Sequence, residues 1–114
     1  MRVAGTVRIP PTARNVGAAT LRVRLQDVST ADAPATVLGE FQTEVRGTVE
    51  EMASIPFSID ADIPEDWQGC LDVSAHVDRV GDGAIHAGDL LSTASHPVSS
   101  RGQIGVVVEV QVVR

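Results

Sequence analysis

Between Asp78 and Asp89 the chain reads DRVGDGAIHAGD, the stretch whose residue types and spacing come nearest to a recognisable chemistry. Calcium is held by several hard oxygens around a tight turn. The twelve-residue calcium loop draws them from positions one, three, five, seven and twelve, with glycine at six. Here Asp78, Asp82, Gly83 and Asp89 fall at positions one, five, six and twelve, and Ile85 takes the apolar place at eight. Val80 stands where a further oxygen ligand belongs, and Asp89 is shorter than the usual bidentate glutamate. Two readings follow. Asp78, Asp82 and Asp89 form a calcium site, or the stretch is an Asp-Gly hairpin loop whose acids bond their own backbone. The missing ligand favours the hairpin, and no other cofactor is implied.

His76, His86 and His96 recur at an interval of ten, which invites a zinc reading. Zinc needs three or four nitrogen or sulfur ligands on convergent side chains. A hairpin turning near Gly83 and Ala84 places His96 opposite Asp72 instead of His76, with His76 on the polar face of its strand beside surface carboxylates. Ser92, Ser95, Ser99 and Ser100 lie near His96. None sits in a G-x-S-x-G elbow, and a serine beside a histidine is no triad without a buried carboxylate to orient it. No phosphate loop, dinucleotide fingerprint or HExxH is present. The chain reads as a non-enzyme. Cys70 is alone, at a strand start beside Gly69, Leu71 and Asp72, and nothing there would activate a thiolate; it reads as a small buried or half-buried apolar residue.

The elements that must position these residues are strands. Val3, Gly5, Val7 and Ile9 alternate until Pro10-Pro11 removes the ladder donors. Ala19, Leu21, Val23 and Leu25 face one way against Thr20, Arg22, Arg24 and Gln26, the period of a half-buried strand. Val37 to Val45 repeats the pattern after a turn at Asp32-Ala33-Pro34, and Gly47 to Ala53 reads as an acidic loop. Ile55, Phe57 and Ile59 form the next inward row. Pro64-Glu65-Asp66 suits the start of one short helical turn near 64–69, since proline fits the first helical position and acids favour the dipole's positive end. Trp67 would cap one end of the core from there. Leu71, Val73, Ala75 and Val77 alternate again, Leu90 to Val98 returns, and Ile104 to Val112 reads as a central strand.

The expected fold is therefore all-β: a single domain over 1–114, an antiparallel β-sandwich of about seven strands, of immunoglobulin or transthyretin type. The first strand, stopped by its prolines, is the expected edge. At 114 residues the chain suits one two-layer core. Valine and alanine dominate, tyrosine is absent, and the aromatics are Phe41, Phe57 and Trp67. So few stacking platforms argue against single-stranded nucleic acid. The net charge is −6, every basic residue is an arginine, and all acids but Glu109 lie between Asp27 and Asp89. That excess argues against nonspecific binding to DNA or anionic membranes. No stretch approaches the roughly twenty apolar residues of a membrane helix.

Arg24 to Pro34, RLQDVSTADAP, is the segment with the most specific pattern, joined by Val3-Ala-Gly5-Thr-Val7, Ile55-Pro56-Phe57 and Ser92 to Val98. Through these the chain resembles the type III secretion lipoprotein chaperones (YscW, pilotin-like) and their YbaY-like relatives. The resemblance implies a non-enzymatic module of the periplasm or cell envelope that binds another protein or peptide, some members escorting a secretin subunit to the outer membrane. The N-terminus shows no apolar signal run and no lipid-accepting cysteine, so a cytoplasmic chain is the alternative expectation. Asp27, Ser29, Asp32 and Pro34 read as turn-makers, and a partner peptide would add by strand pairing at a sheet edge.

Overall fold

A computed structural model describes residues 1–10, 18–29, 35–46 and 54–114. The expected turn at Asp32 to Pro34 and the loop at Gly47 to Ala53 lie outside these residues. Eight strands follow in chain order: β1 (Arg2–Arg8), β2 (Ala19–Asp27), β3 (Thr36–Val45), β4 (Ser54–Asp60), β5 (Leu71–Asp78), β6 (Leu90–Ser92), β7 (Pro97–Val98) and β8 (Gln103–Val112). They form one mixed sheet in the order β3-β2-β5-β6-β8-β1-β4, with β7 paired to β5. The sheet curls until its two ends meet, where Gly39 of β3 lies against the Ile59 side chain of β4. The architecture is thus a nearly closed barrel, not a flat two-sheet sandwich.

Period-two alternation fills its interior. Leu21, Val23 and Leu25 of β2, Val73 and Val77 of β5, and Val108 and Val110 of β8 are fully buried. Branched side chains that are stiff at χ1 suit such a pleated, half-buried surface. With no large aromatic at its centre the core is built mainly of valine, leucine and isoleucine. Phe57 and Ile63 contribute to it, and Trp67 packs on its margin.

Four expectations need correction. The sheet is not wholly antiparallel, because β1 and β8 run parallel from Val3↔Gln103 to Arg8↔Glu109. Consequently β1 is not an edge: it lies between β8 and β4. The ends of the order are β3 and β4, and β4 carries Pro56, which suits a strand with a free side. The return from Leu90 to Val98 is two short strands, because Ser95 and His96 turn aside to bond Asp72. Finally, no helix forms at 64–69; a single turn there is closed by Trp67 N–H donating to the Pro64 carbonyl at 3.1 Å. One bond of that kind bends the chain without starting a second turn.

The parallel ladder depends on close backbone approach. A Cβ at Gly5 would sit 1.8 Å from the Val106 carbonyl oxygen, so only glycine permits this crossing. β8 passes from β1, along its first part, to β6 along Val110–Val112. It thereby joins the two halves of the sheet, as expected of a central strand.

Candidate functional site

The acidic turn hangs from the end of β5. Asp78, its last residue, is fully buried and spends both carboxylate oxygens on the loop that follows. Gly81 N–H donates to Oδ1 and Gly83 N–H to Oδ2, each at 2.8 Å. Both glycines have left-handed φ, 87° and 82°, which is what turns their amides back toward the carboxylate. From β2, Arg22 reaches the same Oδ2 at 3.4 Å. Burial pushes the Asp78 carboxyl up. The amides of Gly81 and Gly83, with His76 and Arg22, outweigh that and hold it below the ordinary carboxylate value.

Asp89 closes the other end. Arg79 N–H donates to Oδ1 at 3.0 Å, His86 N–H to Oδ2 at 3.1 Å, and the His76 Nε2 atom lies 2.8 Å from Oδ2. The side chains of His76 and Asp89 are only 9% and 1% exposed. Here too burial raises the carboxyl, and the bonds from His76, Arg79 and His86 more than reverse the effect. The backbone of the loop then ties to the C-terminal segment: Gly88 N–H donates to the Val113 carbonyl and Val113 N–H to the Asp89 carbonyl, both at 2.8 Å.

Of the three predicted residues the structure brings Asp78 and Asp89 together, with His76 beside them, and leaves Asp82 apart. Ligand-type atoms of Asp78, Asp89 and His76 lie within 4.8 Å of one another. Asp82 instead points outward and pairs with His86 at 2.8 Å, while accepting the Ala84 N–H. The hydrogen bond from His86 lowers the Asp82 carboxyl, and the same bond raises His86. His76 was missed. Its register on β5 predicted the polar face, where it does lie, but the loop folds back over that end of the strand and buries it. In chemical terms the arrangement is a clasp: each buried carboxylate oxygen already accepts hydrogen bonds, and the acids bond their own loop.

Asp72 pairs across the ladder with Pro97, one residue beyond the expected His96. Asp72 accepts from Ser95 Oγ at 2.6 Å and from the His96 N–H at 3.3 Å. Ser95 thus donates to the carboxylate directly, and no histidine stands between them. Cys70 is exposed, which corrects the expected burial. Its amide donates to Ser29 Oγ at 2.8 Å, and its carbonyl accepts from Val28 N–H at 2.9 Å. Ser29 in turn donates its hydroxyl and its amide to Asp27. Those bonds lower the Asp27 carboxyl, and they are local bonds of the kind expected of Asp27 and Ser29 at the end of β2. Asp32 and Pro34 fall outside the described residues. No described helix is long and apolar enough to cross a membrane.

A search among curated proteins gave no significant match. Among solved structures, an alternative pilotin from the type II secretion system of Vibrio cholerae is similar in fold, with a TM-score of 0.66 and 21% identity. That match covers 97% of this chain and 96% of the pilotin. A family model described as the type III secretion system lipoprotein chaperone (YscW) matches residues 1–84, the range that contains the Arg24 to Pro34 segment and ends inside the acidic turn. The chain belongs to the YscW family of type III secretion system lipoprotein chaperones.

Proposed function

We propose that this protein is a non-enzymatic chaperone or pilot for another protein of a bacterial secretion system, acting at the cell envelope. The family match over residues 1–84 carries the reading, and the likeness of fold to a pilotin agrees with it. A secretin subunit is the partner class this favours. A small barrel suits such a role because it offers a rigid outer surface, and a chaperone needs recognition without bond chemistry. The test is co-purification of tagged chain with secretin subunits co-expressed from the same cell, with outer-membrane secretin assembly scored in a deletion strain. Retention of a secretin and loss of its assembly on deletion would support the reading. Normal assembly without the protein, and no retention, would defeat it.

For the turn at 78–89 we favour a structural role over the alternative of a calcium-binding module built on Asp78, Asp82 and Asp89. A cation there would have to compete with the amide donors that already bond Asp78 and Asp89 and draw Asp82 away from His86. Melting in excess calcium and in chelator should give the same midpoint. A rise with calcium that vanishes in Asp82→Ala would instead establish the cation site, since a ligand that binds only the native state must stabilise it.

A further inference from the structure

The loop that follows β5 is tied to the barrel by hydrogen bonds and not by apolar burial. From Arg79 to Ala87 every residue is exposed, Val80 and Ile85 by 63% and 55%. The loop brings no apolar side chain into the core, so the main source of cohesion in a fold does not hold it. Its bonds to the barrel run to two buried carboxylates. The N–H groups of Gly81 and Gly83 donate to Asp78, and those of Arg79 and His86 donate to Asp89. The remaining bonds are local to the turn: Asp82 with His86, Ala84 N–H to Asp82, and Asp89 N–H to the His86 carbonyl.

The order of these ties joins them into one unit. The amides given to Asp89, at Arg79 and His86, bracket those given to Asp78, at Gly81 and Gly83. Release of either carboxylate therefore strains the bonds to the other. Left-handed glycines stand near both ends, Gly81 and Gly88, and small residues of this kind often absorb the φ and ψ change of a hinge. At Gly88 the backbone is pinned to Val113, which fixes that end of the loop. What the loop adjoins is polar. The His76 side chain is only 9% exposed, and Arg22 reaches Asp78 from β2. The buried Arg22 Nε has no partner among the described residues. Arg79 and Gly81 also wall a cavity of about 180 Å3, with Thr20, Glu44, Arg46 and Asp78 around it.

We propose that residues 79–87 form a lid that opens as one unit while the barrel stays folded, uncovering His76 and Asp78 and widening the cavity beside them. Two features favour an opening smaller than unfolding. The lid gives up no buried apolar surface, and its two carboxylates are rehydrated when it lifts. An unanswered buried donor also costs free energy, which water recovers at Arg22 once the lid is open.

Amide hydrogen exchange of the natural chain, followed by NMR at neutral pH in rising but sub-denaturing urea, tests the first half. The amides of Arg79, Gly81, Gly83 and His86 should share one opening constant that urea barely changes, because little surface is exposed. Those of Val23 and Val108 should be at least tenfold better protected and should speed up with urea. Asp89→Asn tests the second half. It weakens the acceptor of Arg79 and His86, yet exchange at Gly81 and Gly83, which donate to Asp78, should rise by the same factor, at least tenfold. In the natural chain diethyl pyrocarbonate should modify His76 more slowly than exposed His86, by the lid's opening constant. Lid amides that follow urea as steeply as Val23 would mean that the loop opens only with the barrel, which overturns the proposal. A rise confined to Arg79 and His86, or a His76 that stays unreactive while the lid amides exchange, overturns it equally.

Discussion

β5 has a carboxylate and a nearby histidine at each end, and the two ends behave differently. At the start, half-buried Asp72 accepts from Ser95 and the His96 amide. Close by, two buried nitrogens, His96 Nδ1 and Trp67 Nε1, have no protein partner among the described residues. At the finish, Asp78 and Asp89 are buried, and the amides, Arg22 and His76 answer their oxygens. The same residue types are a minor surface bond in one place and a clasp in the other. What differs is the covering. The 79–89 loop folds back over the Asp78 end, and carboxylates shut away from water are tolerated only when their oxygens are bonded, although the buried Arg22 Nε beside them has no partner among the described residues.

That contrast can be broken most sharply at Asp89. Asp89→Ala strands His76 and frees two loop amides, and should cost about 3–5 kcal/mol, the range for removing one partner of a buried pair. Urea denaturation with an unchanged m-value would measure it. A loss no greater than that of a surface substitution would show that the clasp contributes little.

Acid titrates the same end. Asp78 and Asp89 have folded-state pKa values below their unfolded ones. Their contribution to stability is thus present at neutral pH and lost as pH falls through the folded values, below about 4. Urea midpoints across this range should drop steeply for the natural chain. Asp89→Ala should show a shallower acid slope, having already lost one of the two groups.

At the opposite end the effect shrinks. Asp72→Ala removes two hydrogen bonds to a half-exposed carboxylate and should cost about 1 kcal/mol, read from the same urea curves. A cost matching that of Asp89→Ala would erase the distinction between the ends.

The smallest effect belongs to the exposed pair at the loop's tip. Asp82→Ala should leave the urea midpoint in place while the His86 pKa, raised by the Asp82 hydrogen bond, falls toward the ordinary imidazole value. Proton NMR of the ring reads this directly. The sign follows from linkage: the pair helps below the unfolded histidine value and is lost as pH rises through the folded one.

Much of the fold was legible because alternation is a local property. The inward rows Leu21-Val23-Leu25 and Val73-Ala75-Val77 could be read from residue type alone, and all are buried. So could the loop acids bonding their own backbone, since Asp78, Gly81 and Gly83 are near neighbours in the chain. The helical turn at 64–69 failed for the converse reason. Proline and acids favour starting a helix, but the signal at its first position cannot say whether a second turn will find packing partners.

Residue order by itself determined that this is a chain of short strands with valine-rich inner rows, a net acidic charge and glycine-marked turns. Hydrophobic period and turn chemistry act within a few residues, and so are written in the sequence. Only the tertiary structure decided that β1 pairs parallel with β8, leaving β3 and β4 as the ends, and that His76 is buried beside Asp89. Those outcomes depend on which distant segments share an interior, and no local pattern of side chains specifies that.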